Sequence, residues 1–123
     1  MNAESRWSMN RFQASDGLEI AYALDDYTDP WRAADTLILV HAALGSSRRY
    51  YAWVPHLARD FRVVRIDMRG HGDSQVPGPD QLSRQRLVQD VVELADHVGA
   101  RRLISSRRFA SACSGAASVV YRK

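Results

Sequence analysis

Between Arg11 and Leu24, apolar and polar residues alternate on either side of a break at Ser15, Asp16 and Gly17. A period of two around an Asp-Gly pair predicts a β-hairpin, with Ile20 and Tyr22 on one face and Glu19 and Ala21 on the other. The acidic stretch DDYTDPWRAAD, residues 25–35, contains Pro30 and predicts a surface loop. TLILVH, Thr36 to His41, is apolar without alternation and too short for a helix, the pattern of a strand buried on both faces of a sheet. AALGSS follows as a small-residue loop, with Ser46 or Ser47 placed to cap a helix over RRYYAWVPHLARD, residues 48–60. On that helix Tyr50, Trp53, Val54 and Leu57 form the core-facing stripe, and Pro55 bends or interrupts it. RVVRID, Arg62 to Asp67, is a second strand buried on both faces, and the glycine-rich MRGHGDSQVPGPD is the turn after it. LSRQRLVQDVVELADHVG places Leu87, Val91, Leu94 and Val98 on one helical stripe, between a Ser83 cap and a Gly99 stop. ARRLI then opens a third buried strand.

The order hairpin, strand, helix, strand, helix, strand predicts an α/β fold, a β-hairpin followed by βαβαβ in a mostly parallel sheet. Three stretches follow from the pattern: an extension over 1–9, the α/β portion over 10–104, and a tail over 105–123 of different composition. With 123 residues the chain is the size of one small domain, and 46% apolar with 25% charged residues is ordinary for a globular protein. No run of residues reaches the length of an apolar membrane span, and MNAESRWSMN lacks the order of a secretory signal. A single cysteine, Cys113, allows no internal disulfide, and the expected compartment is the cytoplasm.

The net charge of +3 hides an uneven distribution. Residues 1–100 carry a net −3, while residues 101–123 carry five Arg and Lys123 with no Asp or Glu, a net +6. The basicity belongs to the tail, where Arg, Ser and Ala make up 14 of 23 residues. One reading is a non-catalytic binding module whose tail contacts nucleic acid or an acidic partner through salt-sensitive contacts. Only Phe109 and Tyr121 accompany those charges, without the spaced aromatics of a base-stacking surface, so nucleic acid is not the expected partner.

In an open α/β sheet, ligands bind beyond the carboxyl ends of the strands. Two loops at such ends carry motifs: LVHAALGSS after the first buried strand and DMRGHGDS after the second. Together with the strand and helix order over residues 10–104, they resemble the α/β-hydrolase family, with its strand, His-Gly-x, helix, strand and D-x-R-G-x-G-x-S. FRVVRIDMRGHGDSQVPGP is most similar to the enol-lactonases and related carboxylesterases. The resemblance implies an ester or lactone hydrolase that works through an acyl-enzyme on a small-molecule substrate. It implies that the Ala43 backbone N–H donates to the oxyanion, a role worth about 3 kcal/mol of transition-state stabilisation. Ala42 stands where the family usually has Gly. DMRGHGDS is implied to be a structural turn, Gly70 and Gly72 allowing the reversal, rather than a metal site of Asp67, His71 and Asp73. His41 is expected to organise its loop rather than act as a base, and His56 and His97 to lie on helix surfaces. No P-loop, G-x-G-x-x-G or paired cysteine points to a nucleotide, zinc or any other cofactor.

A hydrolase of this kind also needs a nucleophile elbow, an acid and a histidine, in that chain order. Counted from Gly99, the elbow position falls on Phe109, and Arg107 stands where its first Gly belongs. Reading Cys113 as nucleophile requires a strand through Ser105, Ser106, Arg107 and Arg108, which a sheet centre disfavours. No His follows His97 and no acid follows Asp96, so Cys113 has no base. Nucleophile, acid and catalytic His are therefore expected to be absent, and the chain is expected to be inactive as it stands. A tail of Arg, Ser, Ala and Gly suggests a truncation or a shifted reading frame after about residue 104. A sheet ending there leaves strands open on one side, which predicts poor solubility or self-association through the exposed edge.

Overall fold

The computed structural model describes residues 9–41, 45–100, 102–107 and 119–122, the last two stretches by backbone path and strand pairing. Strands β1 (Asn10–Gln13) and β2 (Glu19–Asp25) form the expected hairpin, with Phe12 opposite Ile20. Strands β3 (Thr36–Val40) and β4 (Arg62–Ile66) follow, and all five residues of β3 are buried. Alternate residues feed two separate cores. Ile38, Val40, Val64 and Ile66 pack with Phe12, Ile20 and Tyr22 on one face, whereas Leu37, Leu39 and Val63 pack on the other. An unbroken apolar run in these strands thus reflects burial from both sides rather than a helical segment.

Each face is covered by helical structure. Helix α2 (Arg84–His97) lays Leu94, buried, and Leu87, Val91 and Val98, partly buried, on the first face. Its start is the expected one, with Ser83 Oγ accepting from the Arg86 N–H at 3.1 Å. Its end is a Schellman turn. Gly99 takes φ +69°, its N–H donates to the Asp96 carbonyl, and the Ala100 N–H donates to the Ala95 carbonyl.

The second face is covered by Ser47–Trp53, which is 3-10 helix, followed by the short α1 (Val54–Leu57). The helix expected over 48–60 is interrupted, as Pro55 implied, and its first part is 3-10 rather than α. Pro55 has no N–H to give the Tyr51 carbonyl, which instead accepts from Val54 in a tighter 3-10 bond. Tyr50 and Val54 are buried as expected, but Trp53 remains about half exposed. In 3-10 geometry residues three apart eclipse, and Trp53 stacks edge-on against Tyr50 at 5.2 Å.

The sheet order is β1-β2-β4-β3-β5-β6, with β5 at Arg102–Arg107 and β6 at Val119–Arg122. Its three middle strands, β4, β3 and β5, are parallel, while the pairings of β1 with β2, β2 with β4, and β5 with β6 are antiparallel. The sheet is therefore mixed, and "mostly parallel" holds for the βαβαβ portion. β5 continues to Arg107, opposite Val40, three residues past Ile104 where the family-like pattern stops. Pairing with β3 draws on backbone N–H and C=O groups, which Ser and Arg supply as well as any residue. β6 occupies the far side of β5, so the outer strands are β1 and β6.

Candidate functional site: the loops beyond strands β3 and β4

β3 and β4 run parallel in a register that sets Val40 beside Ile66, so His41 and Asp67 leave the sheet as neighbours. Both are buried, at 1% and 2% exposure. The His41 Nε2 accepts from the Met68 N–H at 2.9 Å. A nitrogen committed to a backbone N–H is not placed to take a proton from a nucleophile. His41 thus ties its loop to the turn after β4, the organising part expected of it.

Asp67 does the corresponding work at the other end of the same connection. Its Oδ1 accepts from the Ser47 N–H at 2.7 Å, and its Oδ2 accepts from the Asp73 N–H at 3.0 Å. Ser47 opens the 3-10 segment, with Ser46 as its cap accepting from the Arg48 N–H. The Ser47 carbonyl is held in turn by buried Arg65, whose guanidinium also pairs with Asp25 at 3.2 Å and lies over the Tyr51 ring. A cavity of about 190 Å³ opens beside these groups, lined in part by Asp25, Ser47, Arg48, Tyr51, Arg65 and Asp73.

The turn after β4 is built to bring its backbone against that carboxylate. Gly70 and Gly72 both take positive φ, +78° and +51°. At Gly72 an added Cβ would sit 2.4 Å from the Asp67 carboxylate, so only glycine fits. Ser74 closes the turn, its Oγ donating to the Asp67 carbonyl at 2.5 Å and accepting from the Ala21 N–H at 2.8 Å. The structural role expected for DMRGHGDS is what the hydrogen bonds describe. As to a metal, both Asp67 oxygens are occupied by N–H groups, and His71 Nδ1 faces the Arg69 carbonyl at 3.1 Å. Among the described residues, no three His, Cys, Asp or Glu side chains group to hold an ion.

Arg69 anchors the turn from below. Its side chain is fully buried and makes two bonds to the Asp90 carboxylate on α2, at 2.7 and 2.8 Å. It also reaches Asp16 at 2.7 Å in the hairpin turn and the Gln81 carbonyl at 2.5 Å. Burial opposes the Arg69 charge, but its bonds to Asp90 and Asp16 outweigh that and raise its pKa. Arg86 adds a second cation against Asp90 and Glu93. Sequence reading missed this network. The available signal was Asp90 itself, which shares the helical face of Leu87, Val91 and Leu94 and needs a buried partner there.

The other expected residues scatter. His56 is exposed on α1. His97 lies on the surface of α2, stacked on Phe12 at 5.4 Å and edge-on to Tyr22. Ala43 and Cys113, the proposed oxyanion donor and the elbow-like cysteine, lie outside the described residues.

Comparison with known proteins bears on this arrangement. The family model described as alpha/beta hydrolase fold matches residues 35–105, which include β3, β4, both loops and α2. A soluble epoxide hydrolase of Corynebacterium sp. (strain C12) is 36% identical over 66 residues, 51% of this chain and 22% of that protein. A hydrolase from Pseudomonas aeruginosa PA01 superposes with a TM-score of 0.66 at 37% identity, over 85% of this chain and 36% of that one. The enol-lactonase of Burkholderia xenovorans LB400 superposes with a TM-score of 0.67 at 27% identity, over 78% and 35%. The chain thus spans between about a fifth and a little over a third of these relatives' lengths.

Proposed function

Given that the chain belongs to the alpha/beta hydrolase fold family, we propose that it carries the oxyanion-holding part of an ester or lactone hydrolase. The observation that carries this reading is the double tie on the 41–47 connection, His41 to the Met68 N–H and Asp67 to the Ser47 N–H. A backbone donor stabilises a tetrahedral oxyanion only if it is held in place before the reaction, and the ties at His41 and Ser47, which flank Ala43 in sequence, support that reading. Ala43, in the middle of the connection, is the proposed donor. Because the donating group is a backbone N–H, the alanine side chain does not disqualify it. Likeness to the enol-lactonase supports a lactone or ester as substrate.

The chemistry asked of this part is limited. An attacking nucleophile on a carbonyl carbon pushes the C=O π pair onto the carbonyl oxygen, and the Ala43 N–H would donate a hydrogen bond to the resulting oxyanion. Collapse to the acyl-enzyme expels the alcohol, and water then releases the acid. The nucleophile, the acid and the histidine of that cycle are not assigned to this chain, and we propose that it does not turn over substrate by itself.

A second reading, opening of an epoxide ring, draws on the 36% identity to the Corynebacterium enzyme. The proposed lack of turnover is tested by following p-nitrophenyl acetate, a simple lactone and an aryl epoxide with the purified chain and its Cys113→Ala variant. No rate above buffer is expected for any of them. Ester or lactone turnover lost in Cys113→Ala would place the nucleophile in this chain after all, and turnover of the epoxide alone would favour the second reading.

A further inference from the structure

We infer that Asp67 is the positioning residue of this site, one carboxylate that sets the 41–47 connection against the 67–74 turn. The inference rests on the reading above that this connection holds the oxyanion donor.

Several features single out Asp67. It is 2% exposed, yet its two oxygens face two different loops, the Ser47 N–H on one side and the Asp73 N–H on the other. Its own backbone is pinned independently, N–H to the Ala21 carbonyl and carbonyl to Ser74 Oγ, so the carboxylate is presented from a fixed base. Gly72 leaves no space beyond it, since even a methyl there would meet the carboxylate at 2.4 Å. Next to it, Met68 carries the tie to His41. Adjacent residues 67 and 68 therefore hold opposite ends of a single connection.

The chemistry of the site demands aspartate in particular. Two N–H donors converge on the group, and only a carboxylate offers an acceptor to both. Asparagine has the same shape but sets an NH₂ against one of the two donors, which leaves a buried N–H facing another N–H. Glutamate is a methylene too long for the space that Gly72 walls off. The consequence is that Ser47, where the 3-10 segment begins, and Asp73, in the turn after β4, are held to each other through one side chain.

The test is amide hydrogen exchange and ¹⁵N-resolved chemical shifts on the labelled chain and its Asp67→Asn variant. Loss of one charge-assisted hydrogen bond should speed exchange by about ten- to a hundredfold at Ser47 or Asp73. The shift of that amide should move with it, while Met68, Ile38 and Val64 keep their wild-type rates. Unchanged Ser47 and Asp73 amides would overturn the inference. So would equal acceleration at Ile38 and Val64, because Asp67 would then support only the general stability of the fold. In the unmodified chain, a Ser47 amide that exchanges as freely as an unstructured peptide overturns it as well, whether or not the variant folds. These readings involve no turnover. A hydrolysis assay that removed the proposed function would leave the bridge standing, and a failed bridge would leave the assay to be judged separately.

Discussion

Asp16 shows how much a single turn residue contributes here. The hydrogen bond from buried Arg69 holds its carboxyl below the ordinary value of 3.8, helped by the Leu18 N–H and opposed by partial burial. A group whose folded pKa is depressed adds stability that is fully present above the unfolded value and lost as pH falls through the folded one. Asp16→Asn should therefore melt below the parent near neutral pH, with the gap closing as the pH drops below about 3.8. Thermal melts across that range check it, and a gap that stays constant would remove the Asp16 charge from the account. At this scale the sequence was legible where backbone geometry dictates a residue type. Gly99 ends α2, and Gly70 and Gly72 in the turn after β4 take positive φ, as their positions foretold. Partnerships were not legible, because nothing in SSRRYYAW announces that the Ser47 N–H finds Asp67 twenty residues on.

Among the elements, α2 and the turn after β4 are joined by the Arg69–Asp90 pair rather than by apolar packing alone. Arg69 is fully buried and Asp90 is 2% exposed, so removing the acid takes away two charge-assisted hydrogen bonds and leaves the buried guanidinium with Asp16 as its one remaining carboxylate among the described residues. Asp90→Ala should cost about 3–5 kcal/mol, whereas Asp90→Ala combined with Arg69→Met should recover a good part of it. Chemical denaturation of the two variants checks this, and a double variant no better than the single would show that the charge was not the problem. Strands were readable because burial on both faces leaves an unbroken apolar run, as in Thr36–Val40. Helix α2 was readable because one stripe faces the core. The segment over 48–60 was misjudged in kind, since its apolar spacing suits an α-helix while Pro55 removes the bond that would complete one. The reach of β5 to Arg107 was hidden because side-chain polarity argues against a strand that backbone pairing permits.

For the whole molecule, the six strands form one sheet with a core on each face, and both cores draw on β3 and β4. The loops where chemistry would sit leave from these two strands, and His41 and Ser47, on either side of Ala43 in sequence, are both hydrogen-bonded to residues that follow β4. The family relation was legible because its motifs sit at strand ends, where topology fixes their distance apart. The substrate was not, since the chain covers about a third of the enol-lactonase and about a fifth of the epoxide hydrolase. What the account asserts most centrally is that the ties at Ser47 and Met68 belong to the folded sheet rather than to its surface. Native-state hydrogen exchange on the unmodified chain tests this most directly. The account predicts that these two amides exchange nearly as slowly as Ile38 and Val64 in β3 and β4; exchange as fast as that of exposed Val76 in the following loop would contradict it.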